Sequence, residues 1–179
     1  SIVAWTVNET VQRLADRDPT KPFFVWCSVG PPHSPYCPPQ VYWDMYINGE
    51  IPEPVVGEWA KDYGLSEQPL GVQPYSGRLR PDEFRRMRAG YMGSCTHVDY
   101  EFGRLILQLG YMGQLDNTLI VRLSDHGDMQ GEHHMFRKCY GYQGSARIVF
   151  ALRYPKGLDA PRGVCDRLVG LQDVMPTIL

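Results

Sequence analysis

The sequence predicts an α/β sandwich with a mostly parallel central sheet flanked by helices. Three observations carry this expectation. Residues 23–29 (FFVWCSV), 118–123 (TLIVRL) and 147–153 (RIVFALR) are short apolar runs rich in β-formers, and each reads as a strand. Residues 2–16 and the stretch that begins at Pro81 place apolar side chains at helical spacing. The elements come in the order helix, strand, loop, long helix, strand, loop, strand, helix, the alternation typical of layered α/β chains.

In residues 2–16 the apolar positions are Val3, Val7, Val11 and Leu14, one face of a helix. Residues 23–29 follow Pro22 as a near-continuous apolar run, the pattern of a strand buried on both faces. Residues 30–81 are rich in proline, glycine and aromatics and lack periodicity. They read as a long substrate-shaping loop with one short helix near 41–46. Pro81, Asp82 and Glu83 look like a helix start, with acids at the positive end of the helix dipole. Phe84, Met87, Tyr91, Val98, Phe102, Leu105 and Leu109 continue as one stripe, expected to be core, to an end near Gly110 or Gly113. Asp116 and Asn117 mark a turn, and a last helix starts at Val169.

The chain has 179 residues and a formal charge of −2, enough for one domain and no basis for a polyanion-binding surface. The one short basic run, Arg85, Arg86 and Arg88, lies on the predicted long helix and reads as a solvated face. No stretch is long and apolar enough to span a bilayer. Five cysteines, widely spaced and odd in number, disfavour a zinc ribbon or a disulfide scaffold and favour a reducing compartment. The chain opens inside an amphipathic pattern and stops within a helical one. We therefore expect residues 1–179 to be a piece of one longer domain.

In α/β folds, ligands gather at the carboxyl ends of strands. The first apolar run ends in Gly30-Pro31-Pro32-His33-Ser34-Pro35. The second ends in Ser124-Asp125-His126-Gly127-Asp128, with Arg137 and Lys138 further on. Asp125 and His126 set a carboxylate beside an imidazole where the chain leaves a strand, an arrangement able to ligate a metal. His33 and Lys138, taken alone, are compatible with ordinary surface roles. His133 and His134 match no zinc spacing and include no H-E-x-x-H, so one of them is expected to pack or hydrogen-bond beside the site.

Together these segments resemble the sulfatase family of the alkaline-phosphatase-like superfamily, most specifically over residues 116–155. The resemblance runs from KPFFVWCSVGPPHSPYCPP, through HVDYEFGRLILQLG and LDNTLIVRLSDHGDMQGEHHMFRKCYGYQGSARIVFALRYPKGL, to LVGLQDVMPTIL. It is closest in type to bacterial arylsulfatases, whose metal pair is Asp-His. It implies that Asp125 and His126 ligate a divalent metal, calcium by preference, with manganese or another cation possible in kind. It implies that His33 contacts the leaving-group oxygen as general acid and that Lys138 binds a sulfate oxygen, so that both are catalytic and substrate-binding. The implied substrate is a small-molecule or carbohydrate sulfate ester.

The family's formylglycine nucleophile, made within C-x-P-S-R or a close variant, has no counterpart here, and neither do the two upstream aspartates of the metal shell. Both are expected upstream, so this chain alone is expected to be inactive. Gln143 stands where the family often has Glu. Two other readings stay open: a phosphonate monoester or phosphodiester hydrolase of the same superfamily, and a non-catalytic or degenerate anion-binding domain.

Overall fold

The long helix α3 (Pro81–Tyr111) is the element on which the rest is assembled, in a computed structural model that describes residues 1–62 and 76–179. Pro81 begins it with a preset φ. Glu83 turns back to accept the Arg80 amide at 3.0 Å, and Asp82 and Glu83 sit at the positive dipole end. It stops where Gly113 takes φ +68°, a conformation that glycine adopts without a Cβ clash.

Helix α1 (Ile2–Ala15) lies against α3 through Val3, Val7 and Leu14, three of the four positions expected to face inward. Ser1 caps it by accepting the Ala4 amide at 3.2 Å. Helix α2 (Gln40–Ile47) forms inside the long predicted loop and packs on α3. A 3-10 turn follows at Glu58–Ala60, and residues 63–75 of that loop lie outside the described residues.

The buried face of α3 differs from the expected stripe. Of the seven apolar positions read from the sequence, Leu109 is fully buried and the other six are half-buried. The most buried line runs through Ala89, Gly90, Gly93, Ser94, His97 and Glu101. Small residues let α2 and the segment before it approach the α3 backbone, and this closeness outweighs side-chain size. Lower on the same face, Glu101 pairs with Arg104, whose other nitrogen donates to Asn8 Oδ1 at 2.8 Å and fastens α1. His97 stacks on Tyr42 with ring centroids 4.9 Å apart and lies 3.2 Å from the Ser1 hydroxyl.

Strand β1 (Ile120–Leu123) pairs with β2 (Phe150–Arg153) in an antiparallel ladder that sets Ile120 opposite Arg153 and Leu123 opposite Phe150. The expectation of a mostly parallel sheet is not met here: among the described residues the sheet is this two-stranded antiparallel pair. Strand character is right in both segments, but apolar content does not encode direction. Residues 23–29 also depart from expectation. They form no strand, Phe24 is 76% exposed and Trp26 73%. A buried strand needs partners on its edges, and the described residues bring none to it. Contacts with the α1 region, the Thr10 hydroxyl on Cys27 Sγ at 3.3 Å and Arg17 over the Phe23 ring, hold it instead.

Nor is the basic run only a solvated face. Arg85 donates to the Gly49 carbonyl at 2.7 Å, and Arg88 to those of Pro52 at 2.7 Å and Gln130 at 3.0 Å, so two guanidiniums fasten loops to α3. A single turn, α4 (Gln143–Ala146), precedes β2. The chain closes with a 3-10 turn (Leu171–Asp173) and α5 (Val174–Ile178). Among the described residues, no helix is long and apolar enough to cross a membrane.

Candidate active site

Asp125 and His126 follow directly where the ladder ends. β1 stops at Leu123, and Ser124 still donates to the Val149 carbonyl at 3.2 Å. Gly127 then brings the backbone onto α4, donating to the Ser145 carbonyl at 2.8 Å. A Cβ there would run into the carbonyl oxygens of Gly144, Ser145 and Arg147, so the approach requires glycine.

The Asp125 side chain is 85% exposed, and its Oδ1 lies 3.8 Å from His126 Nε2. His126 Nδ1 is 2.7 Å from the Gly127 carbonyl oxygen, which can only accept. Nδ1 therefore carries the proton and Nε2 presents its lone pair. A hard carboxylate oxygen and a free imidazole nitrogen this close can share one divalent cation, given ligand distances of about 2.0–2.6 Å. Among the described residues, no group of three or more His, Cys, Asp or Glu side chains is placed to hold a metal. Two ligand atoms are fewer than a divalent cation takes, so the pair alone does not complete a coordination shell.

His33 arrives from the proline corner, flanked by cis bonds at Pro31-Pro32 and Ser34-Pro35. Its Nδ1 lies 2.8 Å from the Ser34 carbonyl oxygen, so Nε2 is again the accepting atom. Lys138 Nζ donates to it at 2.5 Å across a sequence separation of 105 residues. The His33 and His126 rings meet edge to face, with centroids 5.9 Å apart. His33, Lys138 and the Asp125–His126 pair, expected at one place, are brought together.

The loop from Asp128 to Cys139 takes an unusual backbone path. Gln130, His133, His134, Arg137 and Cys139 all have positive φ, between 50° and 76°. Left-handed backbone costs a non-glycine residue about 1–2 kcal/mol, so the path must be held from outside. Asp128 holds it. Its Oδ1 accepts the amides of Gln130 and Arg137, both at 3.1 Å, and its Oδ2 accepts the Tyr36 hydroxyl at 2.7 Å. Met129, fully buried, donates its amide to the Arg137 carbonyl at 2.7 Å. Asp128 is absent from the sequence-derived candidates. Its signal was an acid two residues beyond the Asp125–His126 pair, which spacing alone does not separate from a surface acid.

Of the paired histidines, His133 packs and hydrogen-bonds against residues 55–59 and Tyr142. Its amide donates to the Val55 carbonyl at 2.8 Å, its Nδ1 accepts the Gly57 amide at 2.9 Å, and its ring lies against Trp59 and Tyr142. His134 lines a separate cavity of about 340 Å³ with Ile51, Arg78, Phe84, Arg85 and Phe136. Burial first, then Arg78 and His133, hold the His134 imidazole below its ordinary pKa. That cavity includes none of His33, Asp125, His126 or Lys138.

Comparison with known proteins defines the class first. The crystal structure of a phosphonate monoester hydrolase from Agrobacterium radiobacter superposes with a TM-score of 0.73 at 25% identity, covering 87% of this chain and 33% of that one. A multifunctional alkaline phosphatase superfamily protein of Trinickia caryophylli is 33% identical over 176 residues, covering 89% of this chain and 34% of that protein. An arylsulfatase of Clostridium perfringens is 41% identical over 177 residues, covering 98% of this chain and 37% of that protein. The fold is thus that of α/β proteins of the alkaline-phosphatase-like superfamily. The sulfatase family model matches residues 4–179, and the chain belongs to the sulfatase family. It spans about a third of the length of these two relatives.

Proposed function

We propose that this chain supplies part of the active site of a sulfuric ester hydrolase, acting on small-molecule or carbohydrate sulfate esters. The observation that carries the proposal is the convergence of Lys138 on His33 at 2.5 Å beside His126. Asp125 and His126 would hold a divalent cation, calcium by family preference and manganese as the alternative that an imidazole ligand tolerates. When bound, such a cation stabilises negative charge on oxygen.

The remaining work falls to side chains of this chain. Ester cleavage leaves charge on the sulfuryl oxygens and develops it on the departing oxygen. Lys138, whose ammonium donates to His33 Nε2, would exchange that bond for one to a sulfuryl oxygen when substrate enters. His33, fixed through Nδ1 on the Ser34 carbonyl, would act as general acid in its imidazolium form, with Nε2 protonated once Lys138 has turned to substrate, and pass that proton to the leaving oxygen. The formylglycine nucleophile, the other metal ligands and the mostly parallel sheet around β1 belong, on this reading, to upstream parts of a longer protein.

The test uses that longer protein and an activated aryl sulfate, with calcium or manganese added. His33→Ala is expected to lower kcat about 10²–10⁴-fold, the usual contribution of a general acid. Lys138→Ala is expected to lower kcat/KM roughly ten- to hundredfold, since a charge-assisted hydrogen bond contributes about 1.5–3 kcal/mol. Wild-type rates in both variants would refute the site. Phosphonate monoester hydrolysis is the second reading, favoured by the superposition above. Higher kcat/KM on the matched aryl phosphonate than on the sulfate would select it.

A further inference from the structure

We propose that Tyr36 and Asp128 form a positioning pair that sets the His33 corner in register with Lys138 and the Asp125–His126 turn. The proposal rests on the site reading above and adds two residues that touch neither substrate nor metal.

The Asp128 carboxylate joins three segments, each carrying one part of the site. Tyr36, three residues after His33, donates its hydroxyl to Oδ2 at 2.7 Å. Asp128 itself lies two residues after His126. Arg137, next to Lys138, donates its amide to Oδ1 at 3.1 Å. Gln130 completes the knot, its Nε2 donating to the Tyr36 hydroxyl at 2.9 Å and its amide to Asp128 Oδ1 at 3.1 Å. With both carboxylate oxygens committed, Asp128 is a tether rather than a further ligand.

The knot is anchored to the rigid scaffold at both ends. Tyr36 packs edge to face on Tyr91 of α3, with centroids 5.7 Å apart. Arg88 of α3 donates to the Gln130 carbonyl at 3.0 Å. Burial, and then the adjacent Asp128 charge, push the Tyr36 phenol pKa up strongly, so the hydroxyl remains a donor. His33 itself is exposed, and its own ring contacts are with Ser34, Lys138 and His126. Nothing in the His33 corner other than Tyr36 is bonded to the Asp128 carboxylate. Losing that bond should let His33 drift while Lys138 and the metal pair stay in place.

The experiment is a double-mutant cycle on inorganic sulfate binding to the longer protein that carries this chain, followed by imidazole NMR shifts, with urea unfolding as a folding control. Tyr36→Phe is expected to weaken sulfate about tenfold, the value of one misplaced charge-assisted hydrogen bond of about 1.5 kcal/mol. In a His33→Ala background the same substitution is expected to weaken it no further, because Tyr36 acts through His33. Asp128→Asn keeps an oxygen for the two amides but replaces the charged acceptor facing Tyr36 with an amide that can only donate to the phenol oxygen, so it should weaken the tie and reproduce part of the loss.

Sulfate binding equal in wild type and His33→Ala overturns the site reading and the pair with it. Weakening by His33→Ala but not by Tyr36→Phe or Asp128→Asn overturns the pair alone. Equal further weakening in the His33→Ala background shows general damage and also overturns it. If neither variant unfolds cooperatively, the pair is a stability element and the positioning role fails.

Discussion

Two glycines of α3 should respond to the same substitution with opposite sign. Alanine in a helix interior is favoured over glycine by about 0.5–1 kcal/mol, because the unfolded glycine chain has more freedom to lose. At Gly103, on the exposed side of α3, a Cβ meets nothing within 4 Å, so Gly103→Ala is expected to gain that amount in full. At Gly90 a Cβ would lie 2.5 Å from the Tyr36 carbonyl oxygen, 3.0 Å from Tyr36 Cβ and 3.1 Å from the Trp43 ring. The first two atoms are fixed to the backbone of the His33 corner and cannot rotate away. Overpacking costs about 1–3 kcal/mol, and an immovable contact belongs at the upper end. After the helix gain is subtracted, Gly90→Ala should lose about 2 kcal/mol, so the two variants differ by about 3 kcal/mol. Urea unfolding at constant m-value measures this directly, with midpoints about 1 M or more apart. A Gly90→Ala chain as stable as wild type would show that α3 does not meet the Tyr36 segment at backbone distance, and the packing argument would fail.

Acid should destabilise the fold through His97. Burial holds its imidazole below the ordinary pKa, against an opposing pull from Glu101, while Tyr42 and the Ser1 end of α1 cover it. As pH falls through about 6.5 the unfolded chain takes up the proton first, so stability declines from there downward until the folded state protonates too. His134 is shifted in the same direction. The urea midpoint should therefore drop between about pH 7.5 and pH 5, less steeply in His97→Gln; a midpoint that rises on acidification would contradict the burial. Met129→Ala, at a fully buried position beside Gly144, should cost about 2–5 kcal/mol, and Met129→Leu under about 1.5 kcal/mol. Equal thermal midpoints for the two would mean that this side chain is not core.

The helices were legible because their signals are local. Val3, Val7 and Leu14 recur at helical spacing, and Pro81 with its following acids marks a start, so α1 and α3 appear where periodicity puts them. The strands of the Asp125 turn were legible for the same reason, although they start two and three residues later than expected and end where expected. The line Gly90, Gly93, Ser94, His97 and Glu101 was not, because hydrophobicity cannot distinguish a small residue at a close crossing from one facing water. Arg85 and Arg88 were misread likewise, since a guanidinium that reaches loop carbonyls looks in sequence like any exposed charge.

By itself, then, the sequence determined helices α1 and α3, the strand character of β1 and β2, and the candidates His33, Asp125, His126 and Lys138, since each depends on residue type and short spacing. Tertiary structure decided what depends on contacts remote in sequence. It set the antiparallel sense of β1 and β2, left residues 23–29 without strand partners among the described residues, and brought His33 to Lys138 across 105 positions. It also made Asp128, one acid among many, the group that ties three segments together. The physical reason is the same in each case. Hydrogen bonds and packing act over a few ångströms of space, while the sequence records only order along the chain.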